Sequence, residues 1–298
     1  LEKVTVTSAS ASGKAVDVAN APASISVIGR EELEGKSYRD ITEALQDVPG
    51  VYVDDGPSSK GGTETISIRG MDSKYTLILV DGRPQGSGQS YYNGFGTGAE
   101  YGWLPPISAI ERIEVIRGPM SSLYGPDALG GGINVITKGT PDQWGGSLTL
   151  ERTEQENHDS GDYQQQRFYL SGPLLEDRLG LTVTGTRYQR DEDHLEGGYH
   201  ALDRDSHSAK LSWTPSEDQT LALEAGYGTQ LTEGSADKTG SDSELYTVRR
   251  YQALTHDLLW GGKVSTNSYV QHEELENQTQ DARYARTTAN TQSTLPLG

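Results

Sequence analysis

The residues best suited to metal chemistry lie in one acidic segment in the second half of the chain. The sequence from Asp191 to His207, DEDHLEGGYHALDRDSH, contains three of the six histidines together with many carboxylates. Neutral imidazole and carboxylate groups can ligate a divalent ion, but a charged run of this kind is more often a solvated surface loop. The sequence therefore predicts a polar loop here and no metal site.

Motifs for other reactive sites are missing or incomplete. The chain has no cysteine, which excludes a thiolate metal site and a cysteine nucleophile. The stretch GPDALGGG lacks the Lys-Ser/Thr ending of a phosphate-binding loop, GFGTGA lacks a third glycine at the required spacing, and there is no Gly-x-Ser-x-Gly elbow. The net charge of -18 opposes binding to nucleic acid. These observations predict a protein that is not an enzyme and has no catalytic residues.

The first part of the chain, up to about residue 140, predicts a compact α+β unit. APASISVIG, from Ala21 to Gly29, alternates as a short strand, and the next segment carries Ile41, Leu45 and Val48 at helical spacing. The short strands VYVDD, ETISIRG and YTLILVDG follow. The stretch RGPMSSLYGPDALGGGINVI then places glycines between two β-branched runs, which requires tight turns.

The second part of the chain shows long stretches in which apolar and polar residues alternate, a pattern typical of strands with one apolar face. Eight strands are predicted, near residues 145–153, 164–172, 179–189, 207–213, 219–229, 246–259, 263–273 and 288–296. The first, third, fifth and seventh connections are predicted to be long and polar, whereas GPLLED, TPSED and WGG are short. A soluble sandwich could show the same alternation, but long loops at one end favour an outer-membrane barrel.

Spanning helices are not predicted. The longest aliphatic run, about Leu77 to Val80, is far shorter than the roughly 20 apolar residues that a spanning helix needs. No signal peptide is visible at the start, as expected for a secreted protein that has already been processed. Eight strands close around little more than their own side chains, whereas barrels with a filled lumen use about 22. A unit of roughly 140 residues does not fit inside eight strands, so the chain is predicted to cover only part of a barrel.

Two ordered motifs carry a specific resemblance. SIRGMDSKYTLILVDGRP and IERIEVIRGPMSSLYGPDALGGGINVITK resemble the plug of TonB-dependent outer-membrane siderophore receptors, and most of all the catecholate branch that includes the colicin I and ferric enterobactin receptors. The resemblance implies an α+β plug domain followed by antiparallel transmembrane β-barrel strands. It implies a TonB box and flexible tether over 1–20, a plug over 21–140 and the N-terminal portion of the barrel over 145–298.

The first residues resemble a TonB box. An extended alternating peptide can add a strand to the sheet edge of a partner through main-chain hydrogen bonds. The alternative is an ordinary first strand or a frayed terminus. The predicted box consists of Glu2, Lys3, Val4, Thr5, Val6 and Thr7.

The glycine-rich loop QGSGQSYYNGFGTGAEYG resembles the apical ligand-contacting loop of such a plug. Aromatic rings on a pliable loop suit stacking against catechol rings. No Lys or Arg occurs between Arg83 and Arg112, so the basic contacts of a tris-catecholate would have to come from barrel residues, or the ligand is of another type. The alternative is a mobile loop with incidental tyrosines. The predicted ligand contacts are Arg83, Tyr91, Tyr92, Phe95 and Tyr101.

The family resemblance also assigns two plug arginines. Arg69 and Arg117 stand where such plugs place arginines that pair with carboxylates on the inner wall of the barrel. A guanidinium group suits this role because it binds a carboxylate in a bidentate manner. The alternative is a pair of solvated surface arginines.

The function that the resemblance implies is active import of a ferric siderophore across the outer membrane, without a cofactor of the protein's own. The expected partners are TonB with its inner-membrane energising complex, the ferric siderophore and outer-membrane lipid, with bacteriocins or phages as further partners. A passive outer-membrane adhesin or docking barrel for phages and bacteriocins is the alternative. Such a passive barrel would need neither a plug nor a TonB box.

Overall fold

The computed structural model describes residues 5–6, 16–17, 24–36, 38–54, 64–86, 102–118, 128–262 and 264–295. Two short helices are present, α1 (Arg30–Gly35) and α2 (Ile41–Gln46). The strands of the first half are β1 (Thr5–Val6), β2 (Val16–Asp17), β3 (Ser24–Gly29), β4 (Val51–Asp54), β5 (Thr65–Ile68), β6 (Thr76–Val80), β7 (Arg83–Pro84), β8 (Ile110–Arg117) and β9 (Gly131–Thr137). Those of the second half are β10 (Gly145–Thr153), β11 (Tyr163–Leu175), β12 (Leu179–Arg190), β13 (Ala201–Ser216), β14 (Gln219–Gly234), β15 (Ser243–Trp260), β16 (Val264–Asn277) and β17 (Ala282–Thr294).

The N-terminal unit, residues 24–137, is built on a five-stranded sheet in the order β3-β8-β9-β6-β7. Strands β6 and β9 are parallel, and the other neighbours are antiparallel. Strand β6, TLILV, is buried along its whole length, as expected for a strand covered on both faces, whereas β8 alternates buried isoleucines and valine with charged residues. The helices and the two-stranded sheet β4-β5 bury apolar residues in the same core, which includes Leu33, Leu45, Ile66, Ile113 and Ile133.

The predicted helical segment is divided into two helices in the structure. Asp40 begins α2 by accepting a hydrogen bond from the Glu43 amide at 3.1 Å, which is a favourable N-cap. The segment between the helices therefore turns away from a helical path, and residues 38–40 can reach the second half of the chain.

Gly131 shows why glycine is needed in the GGG run. Its φ is +141°, and a Cβ at this position would lie 2.1 Å from the carbonyl oxygen of Ile116 on the neighbouring strand. Only glycine allows so close an approach between two backbones in this conformation.

The second half of the chain forms one large sheet of eight antiparallel strands in sequence order, β10 to β17. Consecutive strands pair as hairpins over most of their length. In the described part of the chain β10 pairs only with β11 and β17 only with β16. The prediction of an open, incomplete barrel sheet is therefore confirmed.

All eight predicted strands are present, although several are longer than predicted. The connections at residues 154–162, 191–200 and 235–242 lie at one end of the sheet, and the shorter ones at 176–178, 217–218 and 261–263 lie at the other. The predicted long seventh connection is wrong. Strands β16 and β17 are joined only by residues 278–281, because the polar segments on either side pair with each other from Asn277 and Ala282 onward.

The two faces of the large sheet differ in polarity. One face exposes leucines, including Leu148, Leu170, Leu211, Leu223 and Leu254. The opposite face contacts the N-terminal unit and buries polar residues, among them Gln165, Arg167, Gln230, Arg249, Gln271 and Glu273. Within the described residues, no helix has the length and apolar character required to cross a membrane.

Candidate functional site

A tight hairpin between β6 and β7 holds the N-terminal unit against the large sheet. Its two turn residues, Asp81 and Gly82, have φ of +49° and +75°, and Asp-Gly is a favoured sequence for a turn in which both central residues have positive φ. The chain then continues as Arg83, Pro84 and Gln85. The compact turn points these side chains at the wall formed by β13 to β16.

Arg83 makes the central contact of this hairpin. Its guanidinium group pairs with Glu224 on β14 and donates a hydrogen bond to Gln271 Oε1 at 3.4 Å. Glu224 also accepts a hydrogen bond from Tyr251 at 2.7 Å. Arg83 is only 2% exposed and lies in the contact between the two halves of the chain; its contact with a ligand stays a prediction.

Two further bonds complete the hairpin contact. Lys210 on β13 lies 3.0 Å from Asp81 Oδ2, and Arg249 on β15 donates to Gln85 Oε1 at 2.8 Å. Burial raises the pKa of Asp81, but the charges of Lys210 and Arg83 and the hydrogen bonds from Thr137 outweigh it, so this pKa lies below its ordinary value. Asp81 is therefore an ionised anchor at neutral pH.

Arg69 and Arg117 lie elsewhere in the N-terminal unit. Arg69 is exposed and follows β5 with a φ of +55°. Arg117 is half-buried and donates a hydrogen bond to the main-chain oxygen of Pro49. Neither has a carboxylate partner in the described part of the chain, and their pairing with the barrel wall stays a prediction.

Most of the other predicted site residues lie outside the described residues. This is so for Tyr91, Tyr92, Phe95 and Tyr101 of the glycine-rich loop, and for Glu2, Lys3, Val4 and Thr7 of the predicted TonB box. The described part of that box is strand β1, in which Thr5 pairs with Asp17 and Val6 with Val16.

A cavity of about 240 Å³, here called the upper cavity, lies between the N-terminal unit and strands β11 to β13. It borders Gly102, the last residue of the glycine-rich loop. Sequence analysis did not identify this cavity, because its lining residues come from distant parts of the chain. Its arginines and tyrosines are Arg39, Arg167, Arg190, Arg204, Tyr163, Tyr188 and Tyr199.

Two carboxylates on the N-terminal unit balance part of the positive charge in the upper cavity. Arg39 lies 2.8 Å from Asp40 and 2.7 Å from Glu64. Burial, followed by the charge of Asp40, raises the pKa of Glu64. Burial also opposes ionisation of Asp40, but the charge of Arg39 and a hydrogen bond from Thr42 outweigh it and lower the pKa of Asp40. The lining holds four arginines, of which Arg167 and Arg190 pair with the further carboxylates Glu151 and Asp193.

The wall of the upper cavity is ordered by aromatic and acidic neighbours. Tyr163 and Tyr188 stack with their ring centroids 5.9 Å apart. The Arg190 guanidinium lies 4.4 Å from the centre of the Tyr199 ring and 2.6 Å from Asp193. Aromatic rings and guanidinium planes therefore lie side by side in this wall.

The acidic segment 191–200 is not simply solvated. Glu192 accepts hydrogen bonds from Ser235 N and Oγ, each at 2.6 Å, and from Thr239 Oγ1 at 2.7 Å. Asp193 accepts from the Gly161 amide at 2.8 Å. These carboxylates join three connections at the same end of the sheet. Among the described residues no group of His, Asp and Glu is arranged to hold a metal ion.

Comparisons with known proteins agree with this architecture. The family model for the TonB-dependent Receptor Plug Domain matches residues 17–132. The chain is 46% identical over 297 residues to the iron-regulated outer membrane virulence protein of Vibrio cholerae serotype O1, a match that covers 97% of this chain and 45% of that protein. It is 30% identical over 289 residues to the ferrienterobactin receptor of Escherichia coli K12, covering 85% of this chain and 38% of the relative.

Solved structures give the same result at the level of the fold. A mutant (G324V) of the ferric enterobactin receptor PfeA of Pseudomonas aeruginosa superposes with a TM-score of 0.75 at 26% identity, covering 99% of this chain and 48% of that one. The siderophore receptor PirA of Acinetobacter baumannii superposes with a TM-score of 0.72 at 26% identity, covering 90% of this chain and 43% of that one. The chain spans less than half the length of these relatives.

Proposed function

Because the chain belongs to the TonB-dependent siderophore receptors of the outer membrane, we propose that the receptor containing it actively imports a ferric siderophore of the catecholate type. In this reading the N-terminal unit is the plug, and the large sheet is part of the barrel wall. The observation that carries the proposal is the upper cavity, which combines arginines and tyrosines at the boundary between plug and wall.

The composition of the upper cavity supports a catecholate ligand. A ferric catecholate is anionic and presents flat aromatic rings, so it needs both positive charge and stacking surfaces. The absence of Lys and Arg between Arg83 and Arg112 leaves the glycine-rich loop unable to supply that charge. Arg190 and Arg204 of the barrel wall and Arg39 of the plug place guanidinium donors around the cavity. Arg39 and Arg190 are also paired with carboxylates, which an anionic ligand would have to displace.

Import requires energy from a partner, for which TonB is the proposed source. The segment from Glu2 to Thr7 would add as a strand to the partner's sheet. Among the described residues, Thr5 and Val6 have strand conformation and pair with Asp17 and Val16. Such a strand pairing can be exchanged for one with a partner, and ligand binding need only shift the population toward the exchangeable state.

The experiment that tests this proposal is uptake of iron from a panel of siderophores by cells that express the complete receptor. We expect accumulation from ferric catecholates that stops when the proton-motive force is collapsed. Ferric hydroxamates serve as the matched control for ligand class. Iron uptake that continues after the proton-motive force is collapsed would favour the passive barrel instead. Surface binding of a phage or bacteriocin without any iron uptake would do the same.

A further inference from the structure

A second cavity lies on the same side of the plug as the upper cavity. This lower groove of about 610 Å³ runs between α1 and strands β10 and β11, toward the end of the sheet with the short connections. Its lining includes the cations Arg30, Lys36 and Lys138. Both cavities are lined by Ile107 and Arg167. They are thus two chambers on one side of the plug, with a common wall.

Arg167 forms most of that common wall. It projects from β11, is 9% exposed, and donates hydrogen bonds to the main-chain oxygens of Tyr38 and Arg39, the former at 2.8 Å. Its other terminal nitrogen lies 3.3 Å from Glu151 on β10. The bonds to the plug involve only main-chain oxygens of the short segment between α1 and α2, so a movement of that segment would release the guanidinium group.

Each chamber contains a buried polar atom without a hydrogen-bond partner among the described residues. Gln165 Oε1, two residues before Arg167, is the one in the upper cavity. Ser108 Oγ is the one in the lower groove. Buried polar atoms are nearly always satisfied, so each chamber offers a polar occupant, water included, a hydrogen-bonding position beside the partition.

The lining of the lower groove continues the chemistry of the upper cavity. Lys138 lies 5.7 Å from the centre of the Tyr169 ring, which again places a cation beside an aromatic face. On the opposite side of the plug, by contrast, the hairpin Asp81–Gln85 is bonded directly to β13, β14 and β15. The described structure therefore has its two cavities along β10 to β13, with Lys138 also paired with Glu34 at 2.9 Å, and its direct anchor along β13 to β16.

We propose that the upper cavity and the lower groove are two parts of one passage for the anionic ligand, and that Arg167 is its gate. The proposal rests on the import function proposed above. The upper cavity is smaller than the roughly 300–1,000 Å³ of most ligand pockets, so the passage opens only when the segment of residues 38–40 moves away from β11. Arg167, freed from the two carbonyl groups, then contacts the anion as it moves between the chambers.

Cross-linking tests where the passage lies. The chain has no cysteine, so the complete receptor with Arg39→Cys and Arg167→Cys can be joined by a short thiol-specific linker. Linking is expected to lower ferric-catecholate import at least tenfold relative to the same variant before linking, while surface binding remains. The matched control joins Asp81→Cys to Lys210→Cys, which fixes the plug to β13 and should leave import in place. Import through the linked 39–167 receptor, or equal loss in both linked receptors, would overturn the proposal.

Ion conductance through the receptor tests the gate in the absence of a siderophore. A negative result for the gate can therefore be distinguished from a negative result for the import function. In planar bilayers the complete receptor is expected to be closed, whereas Arg167→Ala should conduct small ions with a preference for anions. Lys210→Ala is the matched control, because it removes a plug contact on the other side while Arg83 and Arg249 keep the hairpin in place. A closed Arg167→Ala receptor, or the same conductance in Lys210→Ala, would overturn the gate.

Discussion

Removal of the Arg83 side chain should weaken the contact between the plug and the barrel wall by a measurable free energy. Arg83 is 2% exposed and its partner Glu224 has a side chain that is 13% exposed. Removing one member of a buried ion pair costs about 3–5 kcal/mol, because the remaining charge is left without its partner. Glu224 keeps its hydrogen bond from Tyr251, so we expect Arg83→Ala to fall at the low end, near 3 kcal/mol.

Hydrogen exchange on the complete receptor measures this loss directly. The Gln85 amide donates to Ile78 O at 2.9 Å within the hairpin, and its exchange reports opening of the anchor. A loss of about 3 kcal/mol corresponds to a decrease in protection on the order of a hundredfold. Exchange in β8 and β9 should change far less, because these strands form the interior of the plug sheet.

The double variant Arg83→Ala with Glu224→Ala is the control for this prediction. Once both charges are absent, no buried carboxylate is left without a partner. The double variant should therefore lose less protection than the sum of the losses in the two single variants. Strict additivity, or a change of less than about threefold in Arg83→Ala, would refute the reasoning that this pair anchors the plug.

Substitutions at three further places test other parts of the account in the complete receptor. Asp81→Asn should destabilise the plug near pH 7 in denaturant titrations. Because the pKa of Asp81 is depressed, the stability that its ionised form contributes is present above about pH 3.8. The difference in unfolding free energy between the variant and the parent should therefore shrink as the pH falls below that value. Tyr91→Ala and Tyr92→Ala should weaken ferric-siderophore binding by up to about 1–3 kcal/mol per ring, whereas phenylalanine at either position should preserve it, and equal affinity of all variants would remove this loop from the site. Gly131→Ala should lower the thermal stability of the plug by at least about 1–3 kcal/mol from backbone strain alone, whereas Gly139→Ala, which meets no atom within 4 Å, should be neutral.

Alternation in the sequence predicted the barrel strands well because the bilayer imposes it. It failed at the ends of the strands, where no apolar face is required. Strand β13 begins at Ala201 and not near residue 207, since ALDRDS is polar on both faces and still pairs with β14. The short turn before Ala282 has the same explanation. The residues on either side of it are polar, so they show no apolar alternation in the sequence, yet they pair with each other as strands.

The contacts between plug and wall could not be predicted in the same way. Arg83 and Glu224 are 141 residues apart in the chain, and no spacing rule relates them. Arg83 also follows an Asp-Gly turn. This local signal predicts the hairpin but not the strand of the large sheet that the hairpin contacts. The upper cavity is likewise assembled from the start of α2 and from β11, β12 and β13, so three of its four arginines stand among ordinary strand residues in the sequence.

Energy coupling is the central claim, and a proline in the first strand tests it most directly. Val6→Pro removes one main-chain N–H and fixes φ, which disfavours an added strand, whereas Val6→Thr keeps both the N–H and the preference for strand conformation. With expression matched in the complete receptor, we expect Val6→Pro to bind ferric catecholate at the cell surface as the parent does but to accumulate no iron, and Val6→Thr to do both. Normal iron accumulation by Val6→Pro would contradict TonB-dependent import through this segment.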